Sequence, residues 1–333
     1  MKIAVLGCGA IGGLFLGYLS ESCDVVGIVK DYQKQALDRE GLLIDGAAGA
    51  KKVKVNAAVK LEKKVDIAIF ATKIDDLEPL IKENVEFLKE ATIVSTQNGV
   101  KADYILNKYF PKENIVTGIV MFAGTYYPPN KIVHNFKGDL IVGNIFNGSM
   151  EKAKYVAKSI GGAFNAITLN NIRGAKYLKL FVNLNNCISA VLGKPMQEVF
   201  SDLDIAKLAI ELNREAFVAI RKSKIILESL PTYPKEKLEG LVSMQIETAA
   251  VLFSKVMSTL GEEPLYGSIL QSIKRGKKSE IDYINGEIVR LAGEEHIEAP
   301  LNTKIVRLVH QIEQGGDFLS KEELIDAIYD QTR

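Results

Sequence analysis

The opening of this chain constrains it more than any other stretch: Lys2-Ile3-Ala4-Val5-Leu6 runs directly into Gly7-Cys8-Gly9-Ala10-Ile11-Gly12. A nearly unbroken apolar run of this length suits a strand buried on both faces of a parallel sheet. In the spacing G-x-G-x-x-G the first glycine makes a tight turn. The second lets a pyrophosphate approach the backbone, and the third lets the following helix pack on the strand. The helical pattern through Leu14, Leu16 and Leu19 brings amide groups and the positive end of a helix dipole to the same place. Asp24 to Val29 then supplies the second strand of a βαβ unit. The glycines alone also fit an ordinary turn from strand to helix, but with both strands and the helix they point to a dinucleotide site formed by Gly7, Cys8, Gly9, Ala10, Ile11 and Gly12.

The residue that ends the second strand selects the nicotinamide cofactor, because a carboxylate suits a ribose 2′-hydroxyl and a cation suits a 2′-phosphate. Lys30 stands there, with Asp31 next to it. The expectation is therefore NADP(H), and NAD(H) if Asp31 takes the position instead.

Further along, Asp31 to Arg39 reads as a helix, Gly41 to Val55 as short strands and loop, Asp66 to Thr72 as a buried strand, Asp75 to Lys89 as a helix, and Thr92 to Thr96 as another strand. This alternation predicts a parallel sheet, which binds ligands beyond the carboxyl ends of its strands. Lys73 and Asn98 fall at two such ends and are candidate cofactor or substrate contacts; for Asn98-Gly99 the plain alternative is a turn. Ile115 to Ala123, Lys131 to His134 and Leu140 to Gly143 predict antiparallel strands or a hairpin added to the sheet. A helix near Ser149 to Ile160 and a strand around Ala163 to Thr168 end this part. Beyond Ile172 the periodicity is helical throughout. The fold class expected is an α/β Rossmann-type N-terminal domain over residues 1–169 and an all-α C-terminal domain over 170–333.

Composition narrows the function classes. A net charge of +1 gives no reason to expect nucleic acid or an anionic membrane as a partner. No apolar run approaches the roughly eighteen residues of a membrane span, and Met1-Lys2 leads straight into a strand rather than a signal peptide. Cys8, Cys23 and Cys187 form no C-x-x-C, which fits a reducing cytoplasm, and no metal site is expected. His134, His296 and His310 lie far apart and read as surface or packing histidines.

Two segments in the second half carry chemistry. With about 100° of turn per residue and Lys179 taken as zero, Asn183 lies at about 40° and Asn186 at about −20°, so the three fall on one face of a helix. A lysine and two carboxamides on one stripe can bind and polarise a 2-oxo acid: the ammonium meets the charge developing on a carbonyl oxygen, and the amides fix polar groups around it. An exposed polar stripe is the alternative, but Leu180, Val182, Leu184 and Ile188 imply partial burial. The second segment is Ser279-Glu280-Ile281-Asp282-Tyr283-Ile284-Asn285-Gly286, in which spacing does not rank Glu280 against Asp282. Ser268, after Gly267 near a helix start, is either an N-cap or a substrate contact.

Gly7 to Gly12, Gln97-Asn98-Gly99, Lys179-Leu180-Phe181-Val182-Asn183 and Ser279 to Gly286, in this order over nearly the whole chain, resemble the ketopantoate reductases (2-dehydropantoate 2-reductases). The resemblance implies NADPH-dependent reduction of 2-dehydropantoate to (R)-pantoate, on the way to pantothenate and coenzyme A, with the substrate in a cleft between the domains. It implies Lys179 as general acid and Glu280 as the carboxylate that orients substrate and lysine. Asn98 and Asn183 become cofactor or substrate contacts, Ser268 a carboxylate contact, Lys73 a neighbour of the nicotinamide ribose, and Lys30 the partner of the 2′-phosphate. Two positions depart from the family pattern. Cys187 stands where a second asparagine is expected, with Asn186 beside it to supply part of the missing amide, and Leu265 stands where another asparagine is expected. Both belong to the family's substrate pocket, so Asn186 and Cys187 join the substrate-binding candidates. The departures leave room for a broader 2-oxo acid reductase, and from a different class for a nucleotide-sensing protein without catalysis. A homodimer is the expected assembly.

Overall fold

Buried apolar strands determine the architecture of the first half. The computed structural model describes residues 1–261 and 263–330, and the chain divides into two compact units, Met1–Arg173 and Gly174–Arg333. In the first unit the strands are β1 (Lys2–Leu6), β2 (Asp24–Ile28), β3 (Leu42–Gly46), β4 (Lys51–Val53), β5 (Asn56–Ala58), β6 (Ile67–Phe70), β7 (Thr92–Ser95), β8 (Ile115–Val120), β9 (Ala123–Tyr127), β10 (Lys131–Phe136), β11 (Leu140–Gly143) and β12 (Ala166–Thr168). Among the described residues the main sheet has eight strands in the order β12-β11-β8-β7-β6-β1-β2-β5. From β5 to β8 every pairing is parallel, and all four residues of β6, β7 and β11 are buried. That burial is what continuous apolar runs in a covered sheet require.

From β1 the chain moves outward to β2 and β5, then crosses back to β6, β7 and β8. The reversal falls between β1 and β6, and the glycine turn lies at the carboxyl end of β1, where a doubly wound sheet opens a crevice.

After Ile115 the main sheet gains an antiparallel strand as expected, but the hairpin does not join it. β11 pairs antiparallel with β8 in the main sheet, whereas the hairpin of β9 and β10 joins β3 and β4 in a second sheet of order β4-β3-β10-β9. The helix Ala10–Leu19 serves both sheets and is apolar nearly all round, with Leu14, Phe15, Leu16 and Leu19 fully buried. Such a helix needs cover on two sides; a methyl group on Gly13 would meet the side chain of Ile132, from the second sheet, at 2.0 Å.

The second unit is helical. Its buried residues include Tyr177, Phe200, Leu208, Ile284 and Ile305. The helix Ile172–Leu184, which begins just before the unit boundary, is followed after Asn185 by Asn186–Leu192, and the helices Ile281–Glu294 and Pro300–Glu313 pack against each other. Among the described residues no helix is long and apolar enough to cross a membrane.

Candidate active site

In the first unit the three glycines are under different constraints. Gly7 has φ of +90°, a conformation that side chains disfavour, and its N–H donates to the carbonyl of Ile28 at the end of β2. A Cβ on Gly12 would sit 2.0 Å from the Gly7 carbonyl oxygen, so the start of the helix touches the turn it leaves. Around Gly9 no atom of the described residues, its own chain neighbours apart, comes within 4 Å of an added Cβ. Packing and turn geometry thus explain Gly12 and Gly7, while the space over Gly9 is left open. Gly9 is also the N-cap of Ala10–Leu19 and has no side-chain cap, so helix-end amides face that space as an anion would need. Cys8 takes part through its backbone: its carbonyl accepts from Gln33 Nε2 at 3.2 Å, while burial pushes the thiol up to about 12, and it donates to Val5 O. A pyrophosphate fits this cradle.

Lys30 directly follows the buried Val29, is exposed, and caps the helix Asp31–Glu40. Asp31 is the exposed first residue of that helix, and its carboxylate accepts from Gln35 Nε2 at 2.7 Å. Lys73 is exposed at the start of the turn Ile74–Asp76, and Asn98 is half-buried beyond β7. Gln97 donates to the carbonyls of Phe70 and Thr72, both at 3.1 Å, and so ties the loop carrying Asn98 to the one carrying Lys73.

In the second unit Lys179 is half-buried on the helix Ile172–Leu184, and its ammonium titrates at about 8. Burial is the chief cause, since a charged group loses its hydration there. The like charge of Lys176, one turn earlier on the helix, lowers it further, and the nearby carboxylate of Glu280 opposes the fall. Lys176 is itself buried; helical periodicity alone did not mark it as part of this group.

Glu280 is the N-cap residue of Ile281–Glu294 and makes no side-chain hydrogen bond to that helix end. Its carboxylate acts on the charge of Lys179, and the helices that carry the two residues are fastened together. Tyr177 OH donates to Glu287 Oε1 at 2.8 Å in the interior, and Arg290 holds both oxygens of that carboxylate. Near the end of the lysine helix, the carbonyl of Leu184 accepts from Asn285 Nδ2 at 3.2 Å. A hydrogen bond to a charged acceptor is worth about 1.5–3 kcal/mol, and the carbonyl at a helix end needs a partner in any case. These bonds join the helix that carries Lys179 to the helix that Glu280 caps. Asp282, which spacing left level with Glu280, is instead bonded to His310 Nε2 at 2.8 Å.

The single-helix stripe needs a correction. Helical structure is interrupted at Asn185 and restarts at Asn186, so a wheel drawn from Lys179 through Asn186 does not hold. Asn183 is half-buried on the lysine helix. Asn186 is buried with its side chain against Gly267, where an added Cβ would lie 3.0 Å from Asn186 Cγ, which sets it beside Ser268. Cys187 is corrected more sharply. It is 0% exposed, its thiol donates to the Leu184 carbonyl at 3.0 Å and accepts from Asn285, and burial pushes it up to about 12. It is packed inside the helices and leaves the set of substrate contacts. Ser268 is not an N-cap, since Gly267 holds that position and Ser268 is the first helical residue. Leu265 is 39% exposed.

Comparison with known proteins agrees over both units. A family model described as "Ketopantoate reductase PanE/ApbA" matches residues 3–147, and "Ketopantoate reductase PanE/ApbA C terminal" matches residues 171–313. The 2-dehydropantoate 2-reductase of Pyrococcus abyssi (strain GE5 / Orsay) is 30% identical over 312 residues, covering 93% of this chain and 97% of that protein. The 2-dehydropantoate 2-reductase of Lactococcus lactis subsp. lactis (strain IL1403) is 25% identical over 337 residues, with 98% and 100% covered. Among solved structures, D-mandelate dehydrogenase with NADH and anilino(oxo)acetate matches with a TM-score of 0.81 at 25% identity, covering 94% of this chain and 99% of that one. A PanE/ApbA family ketopantoate reductase from Ralstonia eutropha JMP134 matches with a TM-score of 0.79 at 25% identity, with 94% and 99% covered.

Proposed function

Since the chain belongs to the ketopantoate reductase family, we propose that it reduces 2-dehydropantoate to (R)-pantoate with NADPH, in the cytoplasm, as a step toward pantothenate and coenzyme A. The observation that carries this reading is the half-buried Lys179, titrating at about 8 with Glu280 acting on its charge. In this reading the glycine turn holds the pyrophosphate on the backbone around Gly9, Lys30 pairs with the 2′-phosphate, and Lys73 and Asn98 flank the nicotinamide end. When bound, the nicotinamide supplies the hydride that the keto carbon receives.

The remaining work falls to the chain's own side chains. Lys179 donates a proton to the oxygen on which negative charge develops. A group titrating at about 8 is still about nine-tenths protonated at pH 7, and it gives up its proton far more readily than an ordinary lysine near 10.4. Glu280 keeps the ammonium charged and aimed. Asn183, Asn186 and Ser268 contribute amides and a hydroxyl to the substrate's carboxylate and hydroxyl groups.

A second reading, a broader 2-oxo acid reductase, is favoured by two particular positions: Cys187 is turned inward and Leu265 brings an apolar side chain where the family has an amide. Fewer hydrogen bonds to a substrate hydroxyl mean a smaller penalty for acids that lack one. Nicotinamide oxidation with a panel of 2-oxo acids, with NADPH and NADH, separates the two. The proposal expects the highest kcat/KM with 2-dehydropantoate and NADPH. An equal kcat/KM on 2-ketoisovalerate, which lacks the hydroxymethyl group, selects the second reading, and no turnover of any acid removes both.

Replacing Lys30 with Glu in the same assay is expected to weaken NADPH by a factor of about 10 to 100, the range for losing a hydrogen bond to a charged group, and to leave NADH nearly unaffected. Equal losses on both nucleotides would count against a 2′-phosphate contact.

A further inference from the structure

We propose that His310 is a positioning residue for this reaction: its imidazolium bridges Asp282 and Glu313 and thereby holds the turn from which Glu280 acts on Lys179. The proposal rests on the roles given to Lys179 and Glu280 above and adds what keeps them in register.

Glu280 sits at a helix N-cap with φ of −102° and ψ of 24°, and its side chain does not anchor that helix end. The backbone on either side of it is fixed from elsewhere. Ser279 N donates to Glu313 Oε1 at 2.6 Å, and Ile281 N donates to Ser279 Oγ at 3.2 Å. The other oxygen of Glu313 meets His310 Nδ1 at 3.0 Å, and His310 Nε2 reaches Asp282 Oδ1 at 2.8 Å. One carboxylate therefore grips the residue before Glu280, a second belongs to the residue two beyond it, and one imidazole joins the two. Glu313 is the last residue of the helix Pro300–Glu313, where the helix dipole disfavours a negative charge and a cation one turn earlier relieves it. Its side chain is only 8% exposed, so the inner half of the bridge is sheltered from solvent.

Protonation decides whether the bridge is complete. Only the doubly protonated ring donates from both nitrogens; a neutral ring turns a lone pair toward one of the carboxylates. Among the described residues, the charged groups acting on the imidazole are Asp282, from the helix Ile281–Glu294, and Glu313, from its own helix. Partial burial by itself lowers the imidazole's pKa, but hydrogen bonds to the two carboxylates, with their charges, outweigh it and hold the group above its ordinary value. The sign follows: the bridge is complete below the unfolded imidazole pKa of about 6.5 and is lost as pH rises through the raised folded value.

The test reads Lys179 directly. In protein carrying carbon-labelled lysine, the Lys179 resonance, assigned by its absence from Lys179→Arg, is titrated by NMR in the wild type and in His310→Gln. Because Glu280 holds Lys179 up, loosening Glu280 is expected to lower the Lys179 titration point in His310→Gln. In the same variant kcat is expected to fall several-fold with nucleotide affinity unchanged. His310→Lys, which stays charged through this range, is expected to restore part of the turnover and to flatten the pH dependence of kcat. An unchanged Lys179 titration in folded His310→Gln overturns the proposal. Should His310→Gln not fold, Asp282→Asn, at an exposed carboxylate, is read for the same displacement, and its absence overturns the proposal equally. Titrating Glu280→Gln alongside separates the two levels of argument: if that variant also leaves Lys179 unmoved, the reading of the Lys179 and Glu280 pair fails before the bridge is in question.

Discussion

Lys179→Ala is expected to lower kcat by a factor of roughly 100 to 10,000, the range for loss of a general acid, or about 2.7 to 5.5 kcal/mol of transition-state stabilisation. Nucleotide affinity is expected to stay within about twofold, because the proposed cradle belongs to Gly7 to Gly12 and not to this helix. The pattern to look for is kcat falling together with kcat/KM, which marks an interaction made in the transition state rather than in uniform binding. Turnover close to wild type would remove Lys179 from the chemistry. The variant also makes a prediction about stability. A lysine whose pKa falls to about 8 on folding pays for its charge below that pH, and the penalty is relieved between about 8 and the unfolded value near 10.4. In that interval the unfolded chain binds the extra proton, so wild-type stability rises with pH relative to the alanine variant. Parallel melting-temperature profiles for the two proteins would contradict the lowered pKa.

The second large effect is a contrast between two glycines three residues apart. Gly12→Ala puts a methyl group 2.0 Å from the Gly7 carbonyl, a backbone clash that no rotamer relieves. It is expected to cost about 1–3 kcal/mol of stability, as overpacking does, or more. Gly9→Ala adds the same methyl where no atom of the described residues beyond its chain neighbours comes within 4 Å, at a φ of −75° that alanine adopts. Its stability is expected to remain within about 0.5 kcal/mol of wild type. Its affinity for the nucleotide is expected to drop by on the order of tenfold or more, because the methyl fills the space into which a pyrophosphate comes. Thermal unfolding and nucleotide titration of both variants check this. Unimpaired nucleotide binding by Gly9→Ala would move the pyrophosphate away from this turn.

Much of the fold was legible because the signals were local. β1, the glycine turn, the helix Ala10–Leu19 and β2 follow one another with the spacing a βαβ unit demands, and β1, β2, β6, β7 and β8 each read as an apolar run, whereas β5 (Asn56–Ala58) carries no such signal. The second sheet was not legible. Whether the hairpin of β9 and β10 extends the main sheet or joins β3 and β4 depends on which strand edge it meets, and hairpin signals are silent about edges. Likewise His310 read as one more surface or packing histidine, since its two carboxylates are Glu313, three residues on, and Asp282, on another helix.

At the candidate site the division is the same. Residue types and motif order along the chain sufficed to identify the family and to single out the glycine turn, a lysine and a carboxylate as candidates. Tertiary structure decided which groups meet. Glu280 acts on the charge of Lys179 while Asp282 is bonded to His310, Asn186 lies against Gly267 while Cys187 is sealed inside, and Lys176 adds a second charge acting on Lys179. Helical periodicity gives a residue's direction only about its own axis and only until the helix breaks, as it does at Asn185. The partner that fills that direction comes from another segment, positioned here by the buried hydrogen bonds of Tyr177 with Glu287 and of Leu184 with Asn285, and no spacing within one helix encodes it.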